Sequence, residues 1–220
     1  RTIDGKIKVI TGLHIGASNE TIEIGGLDQP IIKDPLPESG APYIPGSSLK
    51  GKMRSLLEIM EGRYTNDGKP CDCGKVDCPV CPVFGTSAAT TSREEIGPTR
   101  VIIRDANLSE EWEKRFKAGD LPMEVKYENI IHRIKGTAEN PRPIERVPGG
   151  VEFDFHFSFK KFDKDPDNYF NNLLKAMKLL ELDALGGSGS RGCGQIKFTN
   201  ISIDGKPQKD SFLDEIDLTA

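Results

Sequence analysis

The sequence predicts an α+β fold of ferredoxin-like (RRM-like) topology, β-α-β-β-α-β, in a single domain over residues 1–220 with long insertions. Three observations predict it. Residues 151–160 alternate without a break: Val151, Phe153, Phe155, Phe157 and Phe159 share one face, and Glu152, Asp154, His156, Ser158 and Lys160 the other. Such a strand has one covered side and one wet side. Two segments carry helical spacing instead, Leu49, Met53, Leu56, Leu57, Met60 and Phe170, Leu173, Leu174, Met177, Leu180, Ala184. Strand-like runs flank both, so strand and helix alternate along the chain.

In chain order, the first strand is expected over residues 6–15. Ile7, Val9, Thr11, Leu13 and Ile15 share one face, and Lys6, Lys8, Ile10, Gly12 and His14 the open one. The first helix follows at Leu49–Met60, then a strand at Val101–Ala106, then the phenylalanine strand. The second helix has Asp165 as expected N-cap, Pro166 at its first position and Gly186 just past its end. Gln195–Ile203 is the last strand. Its apolar parity slips between Phe198 and Ile201, as a bulge requires. Segments 16–46, 62–98 and 107–150 stand outside this plan, and connections of that length are functional or separately folded.

Composition narrows the class. The chain has 220 residues, 36% of them hydrophobic, with 23 glycines and 15 prolines, which reads as soluble and loop-rich. No apolar run reaches membrane-spanning length, so no membrane partner and a cytoplasmic location are expected. The net charge of −4 does not announce a nucleic-acid binder. Any polyanion site must therefore be local.

Residues 186–194, Gly-Gly-Ser-Gly-Ser-Arg-Gly-Cys-Gly, hold five glycines and one charge, Arg191. Gly187, Gly189 and Gly192 fit the dinucleotide fingerprint by spacing. That fingerprint runs from strand to helix, whereas this segment runs from helix to strand, so it is excluded. A glycine-rich turn with an arginine suits a polyanion crossing the sheet edge, with Gly187, Gly189, Ser190 and Arg191 as contacts; a helix cap and turn is the plainer alternative. Gly46, Gly51 and Lys52 nearly spell a P-loop, but Met53 stands where a magnesium-holding hydroxyl belongs, which excludes an NTPase. The helix start still favours an anion. Ser47, Lys50 and Arg54 share its outer face, with Lys52 beside them; a solvated basic face is the alternative.

Cys71, Cys73, Cys78 and Cys81 form C-x-C-x4-C-x2-C. Four cysteines this close read as one closed, structural zinc site, with disulfides as the alternative. Cys193 reads as a small filler in the glycine segment. Residues 123–150 hold Lys126, His132, Arg133, Lys135, Arg142 and Arg146, a basic hairpin with its tip expected near Thr137–Pro141. Segment 16–46 offers Glu20, Glu23, Asp28, Asp34 and Glu38. Elementary chemistry does not choose among them, although Gly25 and Gly26 make Asp28 the most easily presented. His14 is expected beside Lys6 and Lys8 on the open face, and His132 and His156 read as incidental.

The strings Thr11–Gly16, Gly26–Pro35, Ile44–Arg54, Ile144–Arg146 and Leu185–Gly194 resemble the repeated backbone subunit of type III-A CRISPR interference complexes, in the repeat-associated mysterious protein (RAMP) superfamily. The resemblance covers nearly the whole chain. It implies a ferredoxin-like palm, a guide-RNA-binding face and a thumb hairpin, with copies of the chain stacked along the guide RNA and other subunits of the effector complex around them. It also implies cleavage of complementary target RNA with Mg²⁺ or another divalent cation, through the aspartate that matches Asp28. The cysteine knuckle departs from the family pattern as a lineage-specific insertion. Two other readings compete with this one, a non-catalytic RNA scaffold and a metal-independent guide-processing ribonuclease using His14.

Overall fold

The computed structural model describes residues 1–17, 29–36, 39–87 and 96–219. Asp28, Glu20, Glu23 and Glu38 lie outside them. The strands are β1 (Thr2–Val9), β2 (Tyr43–Ile44), β3 (Val101–Ile103), β4 (Ala106–Leu108), β5 (Glu124–Ile131), β6 (Ala138–Arg146), β7 (Glu152–Phe159), β8 (Ile196–Ile203) and β9 (Lys206–Pro207). The α-helices are α1 (Gly46–Met60), α2 (Cys81–Phe84), α3 (Glu110–Lys117) and α4 (Asn168–Leu182). The main sheet runs β2-β4-β7-β1-β8-β9, all antiparallel, with β3 pairing β7 beside β4. Helices α1 and α4 pack on each other. Leu49, Met53 and Leu57 of α1 and Leu173, Met177 and Leu180 of α4 join Ile3, Ile7, Phe153, Phe157 and Phe198 of the sheet in one core.

The alternation on β7 is realised: Phe153, Phe155, Phe157 and Phe159 are all buried. The bulge in β8 is present too. Asp4 pairs with Ser202 but Lys6 with Thr199, so Gly5 faces both Asn200 and Ile201. Asn200 takes a positive φ of 52°. A Cβ on Gly5 would stand 2.8 Å from Thr199 O, which is why glycine sits opposite the bulge.

Four expectations are corrected. Strand β1 starts at Thr2 and ends at Val9 rather than spanning 6–15. The N–H groups of Ile10 and Thr11 both reach Gln195 O, at 2.8 and 3.2 Å, and this shared acceptor bends the chain away from the ladder. The strand expected at 101–106 is two short pieces broken at Arg104–Asp105. Helix α4 begins at Asn168, because the Asp165 carboxylate is committed to Arg100 and to Phe162 N–H. It ends at Leu182, before Ala184, with Asp183 as its C-cap. Helix α3 was not expected. Its charges favour a helix dipole, with Glu110, Glu111 and Glu113 in the first turn and Lys114, Arg115 and Lys117 in the last.

The open face of the sheet is only partly basic. Lys6 is held by Asp154 at 3.1 Å and by Glu152 at 3.8 Å, and His156 Nδ1 lies 2.6 Å from Asp4. Lys6, Asp4, Asp154, Glu152 and His156 thus offset one another, while the cross-strand neighbours Lys8 and Lys197 are exposed without an ion pair among the described residues.

Candidate functional site

Beyond β1 the chain turns at one end of the sheet, where the glycine segment and the base of the β5–β6 hairpin meet it. The Leu185 N–H donates to Gly194 O at 2.8 Å, Gly187 N–H to His14 O at 2.8 Å, and Gly194 N–H to Gly12 O at 3.0 Å. Close backbone contact explains two of the glycines. Gly186 has φ +77° and its Cβ would stand 2.2 Å from His14 O; Gly194 has φ +79° and its Cβ would stand 2.0 Å from Leu185 O. The amides of Gly187, Arg191 and Cys193 are thus spent within the protein, the last two on Ser188 O. Gly189, Ser190 and Arg191 form a single 3-10 turn, with Ser190 and Arg191 exposed.

His14 is buried at 8% exposure, not displayed on the open face beside Lys6 and Lys8. The bend after β1 turns it under Gly186 and Gly187. Its Nδ1 lies 2.8 Å from Glu145 O, and a carbonyl only accepts, so Nδ1 carries a proton and donates it. Glu145 is a hub that sequence reasoning missed. Its buried carboxylate accepts from Ile31 N–H at 3.0 Å and from Lys33 Nζ at 2.6 Å, and its own N–H donates to Gln29 O at 3.1 Å. It therefore ties the hairpin base to the segment that follows Asp28. The string Ile144–Arg146 was the available signal, but nothing in the string separates a buried anchor from an exposed acid.

The three hairpin arginines divide. Arg146 sits at the base, donating to Glu124 and, at 3.3 Å, to Cys193 Sγ. Its side chain is an internal strut. Arg133 and Arg142 are exposed, and Arg142 has no partner among the described residues. The hairpin turn falls at 132–137, closed by His132 N–H to Thr137 O at 2.9 Å, so residues 138–141 open the return strand instead of forming the tip. The glycine turn latches onto this arm. Arg191 Nε pairs with Glu128 at 2.7 Å, and Lys126 Nζ donates to Arg191 O at 2.9 Å.

Helix α1 departs from its expected role in a similar way. The N-terminal Gly46 N–H already has a carboxylate, Asp105 Oδ1 at 2.7 Å. The break between β3 and β4 delivers this cap, so the helix start is not an empty anion site. Lys52 pairs with Asp183 at 2.9 Å. Arg54 is bound to Glu58 at 2.8 Å and to Cys71 O at 2.6 Å. Ser47 is exposed, and Lys50 is half-buried with no partner among the described residues. Burial, and then the neighbouring Arg54 charge, lowers the Lys50 ammonium from its ordinary value. A cation that is partly desolvated and unpaired favours an incoming phosphate. The exposed Gly51 beside it has open space where a Cβ would be.

The four knuckle cysteines do converge. Cys71 Sγ lies 3.9 Å from Cys78 Sγ and 3.7 Å from Cys81 Sγ, and Cys73 Sγ lies 3.8 Å from Cys81 Sγ. All four atoms lie within 4.8 Å of one another. Four sulfurs at ~2.3 Å around a tetrahedral ion would stand ~3.8 Å apart, so the spacing fits a metal. It does not fit disulfides, with S–S at ~2.05 Å, and all the cysteines are free. The thiols compete for protons. Hydrogen bonding to Cys81 lowers Cys78 to about 5, burial raises Cys71 to about 11, and the Cys78 interaction raises Cys81. A bound cation would favour the thiolate form of all the cysteines that share it. Among the described residues this is the group that could hold a metal.

Comparison with known proteins fits this geometry. The sequence pattern of the RAMP superfamily matches residues 6–197. A CRISPR system Cms endoribonuclease Csm3 from Methanothermobacter thermautotrophicus is 48% identical, over 93% of this chain and 86% of its own length. The protein of that name from Methanocaldococcus jannaschii is 44% identical, over 94% of this chain and 82% of its own length. The solved Csm3-Csm4 subcomplex of the type III-A CRISPR-Cas interference complex aligns with TM-score 0.59 and 33% identity, covering 96% of this chain and 81% of that one. The chain belongs to the RAMP superfamily and, within it, to the Csm3 family.

Proposed function

We propose that this chain is a guide-RNA-binding backbone subunit of a type III CRISPR effector and that it cleaves complementary target RNA in a divalent-metal-dependent reaction. The observation that carries the proposal is the endoribonuclease name shared by relatives that match over nine-tenths of the chain. The strand order β4-β7-β1-β8, with α1 and α4 in one core, supports a ferredoxin-like palm within a single domain over 1–220. The β5–β6 arm is the thumb, and residues 16–46 form the catalytic loop. Guide RNA lies along Ser47 and Lys50 of α1, across Ser190 and Arg191, and against Arg133 and Arg142 of the thumb. Gly187, Gly189 and His14 shape the floor beneath it, and Lys52, Arg54 and Arg146 hold the elements that present it. Further copies of the chain and other effector subunits complete the assembly in the cytoplasm.

Asp28 is the catalytic residue in this reading, supported by its match to the family motif. A divalent cation there would stabilise charge at the scissile phosphate and favour ionisation of the attacking hydroxyl. Zinc is the ion for Cys71, Cys73, Cys78 and Cys81, because four thiolates at tetrahedral spacing select it and leave no position for substrate. Chemistry at target RNA then needs a second metal. Asp28→Ala in an assembled complex tests the assignment. Guide and target binding should stay within ~3-fold, or ~0.7 kcal/mol, while target cleavage disappears. Cleavage at the wild-type rate would move the catalytic role to another group, with Asp34 the nearest acid downstream.

A further inference from the structure

We infer that the metal-bound knuckle braces the RNA-binding face of α1, and that Glu58 and Arg54 are the positioning residues that join the two. The inference rests on the reading of Lys50 as an RNA contact and of the cysteines as a zinc site. Glu58 is the one carboxylate among the buried residues of α1, and it is 5% exposed. One of its oxygens accepts both the Cys71 N–H, at 3.0 Å, and the Arg54 Nε–H, at 2.8 Å. Arg54 closes the ring by donating to Cys71 O at 2.6 Å. Both backbone groups of a metal-ligating cysteine are therefore fixed by side chains of α1. Breaking such a ring leaves a buried charge without its partner, so it persists as a unit. Lys50 lies one helical turn before Arg54, on the same outer face.

The knuckle is held on its far side as well. Tyr169 Oη donates to Val76 O at 2.5 Å, and Asn172 Nδ2 donates to Pro79 O at 3.1 Å, both from α4. Val80, Val83 and Phe84 belong to the same core as Leu49 and Met177. The knuckle is thus wedged between the two helices of the palm. The metal fixes the sulfur positions, the sulfurs fix the Cys71 backbone, and Glu58 with Arg54 carries that position to the helix that presents Ser47 and Lys50. Ligating sulfurs whose backbone is held in this way give slower metal loss, and the effect is reciprocal. Whatever holds α1 in place should hold the metal too.

Reciprocity allows a test on the unmodified full chain. Zinc release to a coloured chelator is timed with and without a saturating labelled single-stranded RNA, and RNA affinity is measured on the loaded and the stripped protein. Bound RNA should tighten zinc and stripping should weaken RNA binding by the same factor, ~10-fold, with release slowed in the same direction. Glu58→Ala should speed release and weaken RNA binding together. Glu58→Gln keeps an oxygen acceptor for the Cys71 N–H and should restore slow release. Lys50→Ala separates the two premises, since it should weaken RNA binding while zinc release without RNA stays at the wild-type rate. If Lys50→Ala leaves RNA affinity unchanged, the RNA face has been misassigned. Lys50→Ala that weakens binding, with zinc release indifferent to RNA and stripped protein binding RNA at full strength, would overturn the brace. A chain that purifies without zinc would overturn both.

Discussion

Two segments leave the same sheet-and-helix core and end in opposite states. The cysteine knuckle is absorbed into the fold. Its Cys71, Cys78, Cys81, Val80, Val83 and Phe84 lie in the common core, and its backbone is hydrogen-bonded to α1 and α4. The β5–β6 arm does the reverse. Only Ile144 and Glu145 at its base are buried, while Tyr127, Ile130, Ile131 and Ile134 are displayed, Ile134 at 92% exposure. A two-stranded hairpin with no covered face is marginal alone and gains stability from whatever it docks on. Cations follow the same division. Arg54, Arg100 and Arg146 are spent inside the protein; Arg133 and Arg191 are exposed but held by Ile131 O and Glu128, and Arg142 is exposed with no partner among the described residues. An arginine in a basic-looking stretch is thus no guide to RNA contact until its partner is known.

The sharpest way to break this contrast is to empty the knuckle. Cys78→Ser should lose the metal and destabilise the fold as a whole, by roughly 3–5 kcal/mol, because the knuckle packs in the same core as α1 and α4. Thermal unfolding with metal analysis checks this. A loss of protection confined to residues 66–85, with an unchanged midpoint, would show the knuckle to be an appendage instead.

Next in size is the pair that closes the same side of the molecule. Arg100 and Asp165 are 7% and 6% exposed and meet at 2.6 Å, with the Arg100 guanidinium also over the Phe162 and Tyr169 rings. Arg100→Ala strands a buried carboxylate and should cost about 3 kcal/mol at neutral pH. The Arg100 hydrogen bond lowers the Asp165 carboxyl from its ordinary value. Its stabilisation is therefore present above pH ~4 and is lost as the pH falls through the folded-state value. The deficit of the variant should shrink in acid. Denaturant titrations at several pH values read it directly, and a deficit that grows below pH ~4 would contradict the assignment.

The smallest effect on stability is expected in the arm. Arg142→Ala should change the unfolding free energy by no more than ~0.5 kcal/mol, yet flatten the salt dependence of RNA binding by ~0.7 in log K against log salt. An unchanged slope would leave Arg142 merely solvated.

The sequence was a good guide where periodicity carries the signal. The phenylalanine strand, both long helices, the β8 bulge and the cysteine cluster were all legible, because period and spacing are local properties. What was not legible depends on partners far away in sequence. Asp105 caps a helix that starts 59 residues earlier, and Asp165 turns from a helix cap to Arg100, 65 residues away. His14 leaves the open face because two N–H groups share Gln195 O, a bend that alternation does not register. Glu58 was the missed residue with a local signal, since it stands four residues after Arg54 on a helix, the spacing of an ion pair.

The central claim is that this chain, assembled on a guide, cuts complementary RNA with a divalent metal distinct from the zinc of the knuckle. The most direct measurement is cleavage of a guide-complementary RNA by the assembled complex in Mg²⁺ and in excess EDTA, with zinc content measured in both. The account predicts fragments in Mg²⁺, none in EDTA, and recovery on adding Mg²⁺ back while the zinc stays bound. Full cleavage in EDTA would contradict it and point to metal-independent chemistry at a group such as His14.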